Sequence, residues 1–185
     1  MDSVRDAARI GLTNIGENYV QEAQFKQKEL DGGHTDSITW HLIGHLQRNK
    51  VQTAVRIFSL IQTVDSMQII LAIERHAQAQ GKIQDILIQV KLGEEESKTG
   101  VAKDEVNAFA ELAATCSNVK LKGLMAVAPL NQDARPYFAQ AREMFDVLPT
   151  ENRSILCMGM SNDFITAIQE GATLVRIGTA LFGAR

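Results

Sequence analysis

Seven short apolar runs, each followed by a turn and then by a segment with helical periodicity, constrain this chain more than any other feature. The runs are read at Leu12 to Ile15, Ile38 to Ile43, Ile57 to Val64, Ile86 to Leu92, Leu121 to Val127, Ser154 to Met160 and Leu174 to Gly178. Between them, Ile69, Ile70, Ile73 and Ala77 share one helical face, as do Val106, Phe109, Ala110 and Ala113, and Tyr137, Phe138, Ala141, Phe145 and Leu148. Asp65 and Ser66 are placed to cap the first of these helices. Strands that are apolar at nearly every position are buried on both faces, which requires a parallel sheet with crossover helices.

The repeat of about 25 residues fits β/α units, whose eight-stranded barrel needs roughly 200 residues or more. The 185 residues open on a helix, Ser3 to Ile10, closed by Gly11. The expected fold class is therefore α/β, a (β/α)8 TIM-type barrel missing its first strand, organised as one domain over residues 1–185. The strands at Leu12 and Leu174 would then be unpaired edges. An open doubly wound sheet is the alternative, and it would call for a Gly-rich turn after its first strand that the chain lacks.

In that barrel the last two runs become strands seven and eight, whose following loops frequently hold a phosphate. In CMGMSNDFITAIQEGATLVRIGTALFGAR, Ser161 stands at the first strand-to-helix junction and Gly178 and Thr179 at the second. Small hydroxyl or Gly residues there offer free backbone N–H groups and the positive end of a helix dipole. Ser161 also suits a simple N-cap. Alternation in LVRIG sets Arg176 opposite Val175 and Ile177, so an outward apolar pair points the guanidinium into the barrel, where it needs a carboxylate or a ligand atom. His41 and His45 flank Gly44 after a strand and suit either a ligand role or a structural one, and Lys98 in the loop from Gly93 to Ala102 could face water or an anion.

Charge and composition exclude other classes. Nineteen Lys and Arg against 22 Asp and Glu, without a basic run, do not suggest a nucleic-acid surface. Cys116 and Cys157 lie far apart and without partners at metal spacing, so no metal site is expected and both read as reduced thiols. Neither a membrane span nor a secretory leader is read, and a cytoplasmic protein is expected.

The segments GENYVQE from Gly16, HLIGHLQRNK from His41, SKTG from Ser97, GLMA from Gly123, MGMSND from Met158 and VRIGTALFG from Val175 together resemble the pyridoxal-phosphate homeostasis protein family. That family has the barrel of the alanine racemase N-terminal domain. The resemblance implies a non-catalytic protein that binds pyridoxal 5′-phosphate (PLP) and influences amino-acid and keto-acid balance. It places Ser161 with the backbone of Gly178 and Thr179 on the phosphate, Arg176 at the pyridine nitrogen, and Asn18 and His41 near the ring. It also implies a lysine, in a strand before the first helix, that bonds covalently to PLP. These 185 residues contain no such AVSKTKP-like segment, so a noncovalent complex is expected. A racemase-like enzyme and an interaction protein that has lost the cofactor are the competing readings.

Overall fold

A computed structural model describes residues 2–30, 38–93 and 100–183. His34, Glu94, Glu95, Glu96 and Lys98, and all but the final Gly of the SKTG segment, lie outside the described residues. Helix α1 (Asp2–Arg9) leads into β1 (Asn14–Glu17), α2 (Val20–Leu30) and β2 (Thr39–Leu42). A 3-10 turn, Arg48–Lys50, opens α3 (Val51–Ile57), followed by β3 (Leu60–Val64), α4 (Met67–Ala79) and β4 (Gln84–Val90). The chain continues through α5 (Val106–Thr115), β5 (Val119–Ala126), α6 (Arg135–Asp146), β6 (Ile155–Met160), α7 (Phe164–Gln169), β7 (Leu174–Arg176) and α8 (Thr179–Phe182).

The strands form one seven-stranded sheet in sequence order, β1 to β7, and each neighbouring pair is parallel. Strand alternation sorts the side chains into two layers. Ile61, Ile86, Ile88, Leu124, Leu156 and Met158 pack outward on the helices together with the expected faces of α4 and α5. Leu60, Leu87, Met125 and Cys157 form a second cluster on the inner face, joined by Ile155 and Leu174.

Side chains on that inner face meet across strands that are not neighbours. Cys157 Sγ on β6 donates to Gln62 Oε1 on β3 at 3.1 Å. In a flat sheet three strand spacings would hold them about 14 Å apart. The sheet therefore curls into a barrel, with β1 and β7 as the edges of the described sheet.

Several boundaries differ from those read in the sequence. The first strand begins at Asn14, not Leu12, because Leu12 N–H still bonds back to Ala7 O of the helix turn at 2.9 Å. Ile57 belongs to α3 rather than to β3, and Phe58 N–H closes that helix on Ala54 O at 2.9 Å. A β-branched residue at a helix end simply lengthens the apparent apolar run. Ser66 holds the N-cap position of α4 without a side-chain cap hydrogen bond, so the cap there is positional only.

Candidate functional site at the strand C-termini

Parallel strands send all their C-terminal ends to one rim, so the loops after β1, β2, β6 and β7 share that rim. At Gly44, after β2, an added Cβ would lie 2.2 Å from the backbone oxygen of Asn18, after β1. Only a residue without a side chain lets these two loops close to this distance. Asn18 thus joins the rim through tight backbone packing, with the residue itself exposed. His45, beyond Gly44, stands on the rim with Nδ1 3.4 Å from Asp65 Oδ2 and more than half of its side chain in solvent.

His41 lies on the inner face of β2 and is buried. Its Nδ1 meets Gln62 Nε2 at 3.1 Å. Burial disfavours the imidazolium and pushes the His41 pKa below its ordinary value. The unfolded chain therefore binds the proton more readily than the fold does, and stability contributed by neutral His41 is complete above about pH 6.5 and lost as pH falls towards the lowered folded value. Acid unfolding profiles should show this loss in the wild type, and His41→Gln should flatten that part of the profile.

Arg176 on β7 points inward, as alternation requires, but its acceptors are neither of the kinds expected. Nη1 donates to Cys157 Sγ at 3.1 Å and Nη2 to the carbonyl of Ala126 at 3.2 Å. These occupy two of the five N–H donors of a guanidinium and leave the others for a ligand. The outward pair, Val175 and Ile177, is only half-buried. Cys157 is a free, buried thiol whose pKa is raised by burial, with the Arg176 charge acting in the opposite direction.

Ser161 does not cap α7. Asp163 occupies that N-cap position and its Oδ1 accepts from Met160 N–H at 2.6 Å. The Ser161 hydroxyl instead accepts from the backbone N–H groups of Gly178 and Ala180, both at 3.3 Å. Two loops on consecutive strands thus close on one another at the first turn of α8, with Thr179 between the donors. At Gly178 an added Cβ would meet nothing within 4 Å, so the backbone here borders open space.

Five of the six expected residues therefore fall into two groups. His41 and Arg176 are joined through Gln62 and Cys157, Ser161, Gly178 and Thr179 lie together where the loops after β6 and β7 meet, and Asn18 belongs to neither group, packing instead on Gly44. Gln62 and Ala180 are not singled out in the sequence, and Cys157 is read there only as a reduced thiol. The signal for the first was a lone Gln at the inward position of the apolar run LIQTV, in phase with Leu60.

Chemically, Gly178 and Ala180 N–H are engaged by Ser161 Oγ, so the Ser161 O–H and the Thr179 N–H are the neutral donors that an anion at this junction would meet first, and Arg176 offers a cation that only donates. Cys157, the partner of Arg176, belongs to the buried inner cluster with Leu60, Leu87 and Met125.

Residues 2–185 match the family described as alanine racemase, N-terminal domain. A relative from Aquifex aeolicus named pyridoxal phosphate homeostasis protein is 41% identical over 191 residues, covering 98% of this chain and 81% of the relative. This chain belongs to the pyridoxal phosphate homeostasis protein family. The Escherichia coli member is 35% identical over 188 residues, with 99% of this chain and 80% of the relative covered. Among solved structures, the family member PipY of Synechococcus elongatus with PLP bound superposes with a TM-score of 0.90 at 38% identity, over 98% of this chain and 87% of that one. Alanine racemase of Clostridium difficile, at 12% identity and a TM-score of 0.80 over 100% of this chain and 48% of that enzyme, shares the barrel fold. The (β/α) barrel expected from strand arithmetic is thus the family's fold. Among the described residues no helix is long and apolar enough to cross a membrane, and none group as a metal site.

Proposed function

We propose that this chain is a PLP-binding protein that serves cofactor homeostasis rather than catalytic turnover, with residues 1–185 forming one cofactor-binding domain. The carrying observation is the joining of the loops after β6 and β7 through Ser161, beside an inward Arg176. The PLP-bound state of PipY supports the same ligand here. In this reading Ser161 and the backbone of Gly178 and Thr179 hold the phosphate, Arg176 addresses the pyridine nitrogen, and Asn18 and His41 flank the ring.

PLP when bound supplies an electron-withdrawing ring, and the protein decides how strongly. An Arg at the ring nitrogen donates a hydrogen bond and keeps that nitrogen unprotonated, which weakens the ring as an electron sink. Binding is then favoured over carbanion chemistry, which sets this reading above a racemase-like one. Contacts to phosphate and ring make the complex with these residues noncovalent. The two free thiols suit a reducing, cytoplasmic setting, and the ligand is a small molecule rather than a nucleic acid or a membrane.

Equilibrium dialysis of the 185-residue chain against PLP and against pyridoxal, which lacks the phosphate, tests this. PLP should bind the tighter of the two. Ser161→Ala should weaken PLP about tenfold, the effect of losing one hydrogen bond to a charged group, and leave pyridoxal nearly unchanged. Equal affinity for both ligands, or an equal loss for both in the variant, would remove the phosphate cup from the site.

A further inference from the structure

Four side chains on four different strands are connected in a single line through the barrel interior. Arg176 Nη1 lies 3.1 Å from Cys157 Sγ, Cys157 Sγ 3.1 Å from Gln62 Oε1, and Gln62 Nε2 3.1 Å from His41 Nδ1. Gln62 and Cys157 are at most 1% exposed, which means that each must satisfy its polar atoms within the protein.

The direction of this line is set at its Arg end. A guanidinium can only donate, so the Cys157 sulfur accepts from Arg176 and its S–H points on to Gln62. The amide oxygen of Gln62 can only accept, which turns its NH2 group toward His41. Nδ1 of His41 is therefore an acceptor, and the neutral ring carries its proton on Nε2. A flipped amide would put two donors on one thiol and strand the S–H proton among buried groups.

We propose that Gln62 and Cys157 are positioning residues for the ligand, a one-way hydrogen-bond relay that fixes the guanidinium of Arg176 and the tautomer of His41. The proposal rests on the PLP-binding reading above, and it adds a rule of selection. Both ends of the relay then offer hydrogen to the ligand, so the site would select a ring that presents acceptors, an unprotonated nitrogen and anionic oxygens. A ligand whose ring presents N–H or O–H donors at those places would leave two donors facing each other.

The relay can be read without any ligand. Long-range 1H–15N correlation of the imidazoles in the full chain should show neutral His41 protonated on Nε2. In Gln62→Glu a carboxylate oxygen replaces the amide donor, and the proton should move to Nδ1. A wild-type ring protonated on Nδ1, or one tautomer in both proteins, would overturn the relay.

The positioning role is read with PLP. Cys157→Ala breaks the line and should raise the dissociation constant about tenfold, whereas Cys157→Ser, which still accepts and donates, should restore it to within about twofold. An unchanged dissociation constant in Cys157→Ala, or equal losses in both variants, would overturn the role. Failure of the wild type to bind PLP would remove the functional reading and the positioning role together, while the tautomer measurement would still decide the relay by itself.

Discussion

Substituting Ala for Gly123 should destabilise the barrel by about 3 kcal/mol or more, the combined scale of backbone strain and overpacking at one site. Gly123 holds φ at +145° in the middle of β5, a conformation that L side chains rarely adopt. It pairs with Leu87 on one side and Ile155 on the other, at the point where the β4–β5 register slips. A Cβ there would fall 1.9 Å from the carbonyl oxygen of Ile155 and 2.9 Å from the ring of Phe145. The first obstacle is backbone of the adjoining strand, so no rotamer change can relieve it. Thermal unfolding should shift down by roughly 10 °C for a chain of this size. Gly81→Ala is the control: φ is +60° and nothing lies within 4 Å, so only the strain of the dihedral, roughly 1 kcal/mol, should appear. Equal effects at the two positions would show that the steric contact at β5 contributes nothing.

The same glycine separates what the sequence makes legible from what it does not. Gly123 sits inside an apolar run, and a Gly in a strand pattern marks a bulge or a close approach. Which of these holds depends on β6, some 30 positions later. Local patterns were enough for the order of all seven strands, for the buried faces of α4 and α5, and for the inward turn of Arg176. The strand order follows from the repeat of β/α units, and the rest from a period of two or 3.6 along one segment. The partners of those residues do not follow from any period. Arg176 finds its acceptors on β6 and β5, and Ser161 finds its donors on Gly178 and Ala180, at the first turn of α8, rather than on α7. Register between parallel strands sets these meetings, and the crossover helices that fix register are too long for a sequence pattern to bridge. For that reason Ser161, Arg176, Gly178 and Thr179 are each legible from local pattern as residues at strand ends, Asn18 is reached only through the family resemblance, and the line from Arg176 to His41 is legible from neither.

Replacing Arg176 by Met should cost the greater part of the affinity for PLP, about a hundredfold, the upper range for losing a hydrogen bond made by a charged group. Met keeps the volume of the arginine stem, so the lost function is the guanidinium alone. In the wild type two of its N–H groups are already fixed on Cys157 Sγ and the Ala126 carbonyl, and the remaining donors are held in place before any ligand arrives. Pre-ordering of this kind lowers the entropy lost on binding. Arg176→Lys tests the point, because an ammonium keeps the charge but not the planar fork. It should lie between the two, about tenfold weaker than the wild type. A third variant reads the chemistry rather than the affinity. If the ring nitrogen of PLP faces Arg176 as proposed, Arg176→Glu replaces that donor with an acceptor, so bound PLP should carry a proton on the nitrogen, seen as a shift of its 15N resonance. Wild-type affinity in Arg176→Met would mean that the ring does not reach β7. An unprotonated nitrogen in Arg176→Glu would mean that it reaches β7 in another orientation. Both outcomes would return the guanidinium to a structural role, tying β7 to β6 and β5 at the edge of the described sheet.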